Sequence, residues 1–384
     1  MPEVPALVLL AYASLLILSI LDNLRGPYFP EMINDLHWNG TQGAMFFAIA
    51  NLASAAVGWV SPRILHARSP LFLLAIASLC LSAGFAGIAL SHEFMAVMLS
   101  TAVFGGMFGA LNLAQNMLVV EGSPAHLRRR WLNGLHAMYG VASILAPLLA
   151  TGYFLLGWNW RLAFLVTAAL PIVTFIAVQF NSSKQAPAVP ESKPTPLSPF
   201  EWKLILACAV VMSLYQFGEV SASSRMVLWL RTERGFTPES ANFYLSAFFA
   251  CMLTGRLGFG VIHFKGLSNW AVLVVSACTS ALCYEFALMY SPLWMVVSGL
   301  TMAPFYPTAL DEISQLFGRK SAQALGYSLG LVSLASVGMH MVIGWGTDRF
   351  GLTKALMIGP LSFALLFAGL GVIWTKGLHS RAAV

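Results

Sequence analysis

Asp22 and Arg25 stand three residues apart in one apolar stretch, and Glu219 and Arg225 stand six apart in another. A charge held near the centre of a bilayer costs from about 2.5 to more than 10 kcal/mol, so such residues line a cavity or find a counter-charge. The three-residue spacing puts Asp22 and Arg25 on one helix face, where they partly neutralise each other. That pair reads either as an internal ion pair fixing its helix or as a coupling site for a proton or cation. Six residues carry Arg225 too far round a helix to meet Glu219 in the same way, so the partner of Glu219 must come from another helix. A carboxylate held in an apolar cavity can bind and release a proton under physiological conditions, which makes Glu219 the better coupling candidate. Glu285 lies nearer the end of its stretch and reads as a side chain that reaches water.

Amides form a second group. Asn112, Gln115 and Asn116 stand at i, i+3 and i+4 and share one face of a helix, while Asn133, His136 and Tyr139 follow in the next apolar stretch. Amides present donors and acceptors together, which suits a hydroxyl-rich neutral solute. The competing reading is interhelical hydrogen bonding worth about 0.6 kcal/mol per bond; three amides packed so closely favour the lining of a cavity. Tyr215, Gln216 and Tyr306 are further candidate contacts, the tyrosines by stacking on a sugar's apolar face, whereas Trp229 fits an interfacial aromatic belt. His136 reads as a proton relay or as a hydrogen-bonded packing histidine. Glu121 beside Arg128, and Asp311 with Glu312 beside Arg319 and Lys320, read either as gates whose salt bridges break when the halves rock or as surface acids next to basic loops.

Residues of this kind require membrane helices to hold them. Twelve apolar runs begin near Pro5, Thr41, Pro70, Glu93, Trp131, Arg161, Leu204, Pro238, Ser268, Pro292, Ser321 and Thr353. Each approaches the roughly 20 residues that a helix needs to cross a bilayer. Hydrophobic residues make up 58% of the chain and charged residues 9%, against about a quarter charged in soluble domains. The expected fold class is therefore all-α and integral to the membrane, with twelve transmembrane helices. Met1–Pro5 carries no Lys or Arg, and the first run reaches Leu21 without a small-residue cleavage site, so it is expected to stay as the first helix. The five cysteines lie inside apolar runs without metal-ligand or disulfide spacing, and no cofactor is expected.

The net charge of +6 follows topology rather than nucleic-acid binding. Basic residues concentrate in alternate loops, among them Arg63, Arg128, Arg256 and Lys320, while Arg161, Arg231, Arg234, Arg349 and Lys354 fall on the opposite side. Both termini are expected in the cytoplasm and the chain in the cell's inner membrane. Between the sixth and seventh runs, Pro187, Pro190, Pro194, Pro196 and Pro199 mark a stiff polar linker. The expected organisation is a six-helix bundle over 1–180, a linker over 181–202 and a second bundle over 203–384. Asp22 with Glu219, and Gly58 with Gly255, recur at one common offset, a weak repeat of the two halves. Pro27 and Pro30 are expected to break the first helix near its end, and Pro304 with Pro307 to bend the tenth. Gly105, Gly106, Gly109 and Gly326 are expected at close helix contacts.

Six helices, a cytoplasmic linker and a repeated six resembles the major facilitator superfamily of secondary transporters, over the whole chain. Gly344-Trp-Gly-Thr-Asp348-Arg349-Phe-Gly351 is similar to that superfamily's glycine and Asp-Arg loop motif, which implies a gating role for Asp348 and Arg349. After the second helix the corresponding stretch reads Gly58-Trp-Val-Ser-Pro62-Arg63, with Pro62 in place of the acid. Asn112-Leu-Ala-Gln115-Asn116, Leu132-Asn133-Gly134-Leu-His136-Ala-Met-Tyr139-Gly140 and Ala303-Pro304-Phe-Tyr306-Pro307-Thr308 most resemble the fucose and glucose permease branch. The resemblance implies alternating access to a midplane site, a small-molecule substrate that is a sugar or polyol, and a proton or sodium ion as coupling partner. Asn112 stands where that branch carries a carboxylate, so the carboxylate's coupling role does not carry over. An exporter of amphipathic metabolites would instead favour an aromatic, amide-poor cavity. A receptor or scaffold would need a sizeable soluble domain. An enzyme would need a nucleophile, metal or ATP motif, and the chain carries no His-Glu-x-x-His, Gly-x-Ser-x-Gly or ATP-binding loop. A monomer in the lipid bilayer is expected.

Overall fold

The computed structural model describes residues 5–124, 126–180, 196–261 and 268–375, and among them every regular element is helical. The first five runs form α1 (Ala6–Asp35), α2 (Gly40–Ala67), α3 (Pro70–Leu90), α4 (Phe94–Gly122) and α5 (Arg128–Leu155). The sixth is split into α6 (Trp160–Thr167) and α7 (Leu170–Gln179). Then follow α8 (Pro199–Glu233), α9 (Pro238–Val261) and α10 (Asn269–Met289), a tenth run split into α11 (Leu293–Met302) and α12 (Phe305–Phe317), α13 (Ser321–Phe350), and a twelfth run split into α14 (Leu352–Ala355) and α15 (Ile358–Thr375). Among the described residues, 11 spans are long and apolar enough to cross a membrane. α9 is not one of the 11, although its 24 residues are enough to cross a bilayer. Exposed side chains such as Leu99, Val173, Phe243 and Leu365 give the helices the apolar outer faces that lipid requires.

The chain divides into two compact units, Met1–Glu191 and Ser192–Val384. Of the expected linker, 181–195 lie outside the described residues, and its last residues are already helix. Ser198 Oγ accepts from Glu201 N at 3.2 Å and Glu201 Oε2 accepts from Ser198 N at 2.6 Å, a capping box that starts α8 four residues earlier than expected. Pro199 sits in the first turn, where its missing N–H costs nothing. Lys320 Nζ binds the same carboxylate at 2.7 and 3.0 Å and the Pro196 carbonyl at 3.2 Å, so the start of α8 is tied to the corner between α12 and α13.

In the first unit α1 runs against α4, α5, α6 and α7. It continues unbroken through Pro27 and Pro30 to Asp35, contrary to the break expected there. Each proline removes one helix hydrogen bond, but both are buried among neighbouring helices that hold the segment. Glycines set the spacing of α2 and α4: a Cβ on Gly105 would stand 2.2 Å from the Ala50 carbonyl oxygen, and one on Gly109 2.2 Å from that of Ser54. In the second unit Gly299 gives α11 the same close approach to α9, 2.4 Å from the Phe248 carbonyl oxygen. Gly326, expected at such a contact, has open space where a Cβ would be.

Broken helices free carbonyl groups, and side chains of neighbouring helices take them up. At the break between α6 and α7, Ser82 Oγ donates to the Ala168 carbonyl at 2.6 Å. The tenth run breaks at Pro304, as its prolines predict. There Ser276 Oγ donates to the Thr301 carbonyl at 2.6 Å, and the buried Tyr215 hydroxyl donates to that of Met302 at 3.3 Å. Gly105→Leu is expected to overpack the α2–α4 contact by about 1–3 kcal/mol and to lower the thermal midpoint of the purified protein. Gly326→Ala should leave that midpoint unchanged or raise it; equal effects of the two substitutions would count against this account of the glycines.

Candidate functional site

The two intramembrane acids singled out in the sequence each lie in a cluster of their own unit. In the first, Arg25 pairs with Asp22 one turn earlier on α1, and its Nε donates to the Asp22 carbonyl at 3.2 Å. Tyr139, reaching from α5, donates to Asp22 Oδ2 at 2.8 Å. The Arg25 guanidinium lies over three rings, 5.5 Å from the centroid of Phe46, 5.3 Å from Phe47 and 4.9 Å from Phe104. Arg25 Nη1 is buried without a hydrogen-bond partner, and the negative faces of these rings stand where one would be. Only 7% of the Arg25 side chain and 16% of that of Asp22 are exposed. Tyr139, expected among the substrate contacts, thus completes the carboxylate's hydrogen bonding. The cluster ties α1 to α2, α4 and α5.

Glu219 in α8 has a looser setting. Its partner is Arg256 of α9, Nη2 to Oε1 at 3.6 Å, with 18% of the Glu219 side chain and 36% of that of Arg256 exposed. A charge-assisted hydrogen bond of full strength is about 2.7–2.9 Å long. Tyr215, one turn before Glu219, lies within reach of both charged groups, and Tyr306 of α12 is near both. Arg225, grouped with Glu219 in the sequence reading, is buried elsewhere on α8, and its Nη1 donates to the Ser224 carbonyl at 3.4 Å. Arg256, read from the sequence as a loop cation, belongs to a helix. Two signals pointed to it: Glu219 lacked a partner on its own helix, and Arg256 interrupts an otherwise apolar run between Gly255 and Gly258.

The amide strip of α4 is divided by its packing. Gln115 is fully buried against α1. In the orientation its neighbours require, its amide nitrogen donates to the Leu111 carbonyl at 3.3 Å and its oxygen accepts from Ser14 Oγ and Leu15 N, each at 3.2 Å. It therefore joins two helices. Asn112 and Asn116 are half-buried, and each spends a donor on its own helix, to the Phe108 carbonyl at 3.2 Å and to that of Asn112 at 2.7 Å. Asn133 and His136 are exposed on α5, and Gln216 and Tyr306 are half-buried. Tyr215 is fully buried and stacks on Phe305 with centroids 4.7 Å apart, so its position braces the broken tenth helix.

At the helix ends, the Asp311 carboxylate accepts from Asn269 Nδ2 at 2.9 Å and from Gln315 Nε2 at 2.8 Å. Glu121 and Arg128 are exposed and form no ion pair among the described residues; Glu312 is half-buried, and Asp348 and Arg349 are exposed at the end of α13. Lys320 pairs with Glu201, a partner outside the expected gate set. A stronger clamp lies where α1 closes. Asp35 Oδ2 receives Arg161 Nη2 at 3.0 Å and Trp160 Nε1 at 3.1 Å, while Arg161 Nη1 reaches the carbonyls of Ala89 and Ser91 at 2.7 Å.

A family model described as Major Facilitator Superfamily matches residues 11–329. The cis,cis-muconate transport protein of Acinetobacter baylyi is 25% identical over 230 residues, covering 55% of this chain and 54% of that protein. The quinolone resistance protein NorA of Staphylococcus aureus is 21% identical over 220 residues, covering 56% of each. The chain spans about half the length of the curated relatives it matches. A bacterial homologue of the human lysosomal transporter Spinster, solved in an inward-facing and occupied conformation, superposes with a TM-score of 0.77 at 16% identity over 98% of this chain and 96% of that one. At that identity the likeness is one of fold.

Asp22→Asn is expected to strand the buried Arg25 charge, at a cost of about 3–5 kcal/mol seen as a lower thermal midpoint. Adding Arg25→Met to it should recover most of the loss. A double variant no more stable than the single one would show that the pair is not what holds these helices.

Proposed function

We propose, since this chain belongs to the Major Facilitator Superfamily, that it is a secondary transporter carrying a small polar organic solute and that a proton gradient drives it through Glu219. The observation that carries this reading is the loose Glu219–Arg256 pair. An ionised Glu219 neutralises Arg256, whereas a protonated one releases it, so the two protonation states differ in the charge left on α9. A gradient can act only on a group whose states differ in this way. Asp22 is held by Arg25 and Tyr139 and its cation is caged by three rings, which suits a fixed tie better than a group that must change partners. A proton suits the cluster better than sodium, because a sodium ion beside Glu219 would meet the positive charge of Arg256.

The names of the two curated relatives, one for transport of cis,cis-muconate and one for quinolone resistance, support a small organic solute as cargo. A sugar or polyol, the expectation carried by the amide strip, has less support: Gln115 is closed into packing, and Asn112 and Asn116 each commit a donor to the backbone. Asn133, His136, Gln216 and Tyr306 keep exposed or half-exposed polar groups and stay in the proposed contact set. The basic loops support a location in the cell membrane with both termini in the cytoplasm.

Glu219→Gln is expected to abolish accumulation of labelled cis,cis-muconate or a quinolone under a proton gradient in proteoliposomes, while exchange of the same solute across the membrane at equal pH persists. Accumulation by the variant at the wild-type level would remove Glu219 from coupling.

A further inference from the structure

We propose that the groove between α8 and α15 seats one acyl chain of an anionic phospholipid whose headgroup pairs with Lys203. The groove is a cavity of about 300 Å³ walled by Leu206, Ala207, Val210 and Leu214 of α8 and by Leu366 and Gly369 of α15. It exists because small residues stand on both walls: a Cβ on Gly369 would find nothing within 4 Å, and Ala207 ends at its own Cβ. None of these residues carries a polar side chain, so the groove suits neither water nor a polar solute. Leu206 is 52% and Val210 58% exposed, so it opens outwards. A gap of this kind forfeits dispersion contacts until something of hydrocarbon shape fills it.

The length of the groove selects the occupant. Its α8 wall runs from Leu206 to Leu214, about 12 Å at 1.5 Å per residue. One leaflet of hydrocarbon is about 15 Å deep, half of the roughly 30 Å core. A groove confined to one leaflet fits an acyl chain, whereas a transmembrane helix of a second copy would need a face running through both.

Charge selects the headgroup. Lys203 precedes Leu206, Ala207, Val210 and Leu214 at helical spacings, so it lies on the same face of α8, at the end that follows the linker. Its side chain is exposed and forms no ion pair among the described residues, and Glu201, the acid in the same turn, is taken by Lys320. The neighbouring Trp202 packs against Tyr327 with ring centroids 4.9 Å apart, and both rings are partly exposed. Such rings mark the level of the membrane interface. The Lys203 ammonium therefore reaches the depth of lipid phosphates while its stem lies along apolar surface. A zwitterionic lipid would bring its own ammonium to that cation; an anionic one brings only the phosphate.

Native mass spectrometry of the purified full chain, with dioleoyl phosphatidylglycerol or dioleoyl phosphatidylcholine added to the detergent, counts the lipids bound and gives the affinity of the first. Phosphatidylglycerol should bind more tightly than phosphatidylcholine. Lys203→Gln should weaken the first phosphatidylglycerol about fivefold, the contribution of one lysine beside an anionic surface, and leave phosphatidylcholine unchanged, while Lys203→Arg keeps the preference. Gly369→Leu should displace both lipids, because its side chain enters open space and fills the groove. Ala207→Leu fills it from α8 and replaces that variant should it fail to fold. Equal affinity for the two lipids in wild type, or phosphatidylglycerol binding unchanged in Lys203→Gln or in the filled groove, would overturn the proposal. Glycerol phosphate competing as well as whole lipid would also overturn it, since the site would then hold a free phosphate. So would a wild-type dimer that the filled groove abolishes, since the occupant would then be a second copy.

Discussion

Every charged group buried in these helices must meet a counter-charge before hydrocarbon will tolerate it, and the second unit does this less completely than the first. Asp22 has its cation on the same helix, a tyrosine from α5 on its other oxygen, and three rings around that cation. Glu219, at the corresponding place in the repeat, takes its cation from another helix across 3.6 Å. Closing a pair fully makes it a fastener, because removing either partner leaves a stranded charge. Leaving it loose makes the pair sensitive to anything that competes for either member. The same sequence position has thus become structure in one half and a candidate moving part in the other.

The broken tenth helix lies next to that moving part. Its prolines free carbonyls that lipid could not satisfy, and Ser276 and Tyr215 take up those of Thr301 and Met302. Tyr215 also stands within reach of Glu219 and Arg256. One residue therefore braces the break and lies near the charged pair, and its ring is stacked on Phe305 just past Pro304. A change in charge at Glu219 has a short mechanical route to the one place where this helix is already interrupted.

Much of the fold was legible because the bilayer imposes a simple rule on composition: the apolar runs, the polar segment between the halves and the pairing of Asp22 with Arg25 all follow from it. What the sequence hid were partners brought together by packing. Arg256 looked like a loop cation because it lies near the end of its run, five residues before α9 stops at Val261, although the need of Glu219 for a partner on another helix pointed to a residue of that kind. Gln115 shares a face with Asn112 and Asn116 by spacing, yet a helix face is wide enough for one edge to meet α1 while the other stays half open. Pro27 and Pro30 signalled a break that neighbouring helices prevented, whereas Pro304 signalled one that occurred. Proline removes the same hydrogen bond in each case, and the surroundings decide whether the helix yields.

The repeat is clearer in what residues do than in which residues they are. Where α1 ends, Asp35 binds Trp160 and Arg161 at the start of α6, and Arg161 reaches the Ala89 carbonyl at the end of α3. Where α8 ends, Glu233 binds Thr353 at the start of α14, Trp229 Nε1 donates to the Thr353 hydroxyl at 2.9 Å, and Arg234 reaches the Leu288 carbonyl at the end of α10. Both corners need an acid, an indole N–H and an arginine that caps a helix C-terminus, since such an end leaves carbonyls that a cation satisfies best. The arginine comes from the incoming helix in one unit and follows the outgoing helix in the other. Matching by sequence offset could not find this correspondence, because what is repeated is a set of unsatisfied backbone groups, and either neighbouring segment can supply the side chain that answers them.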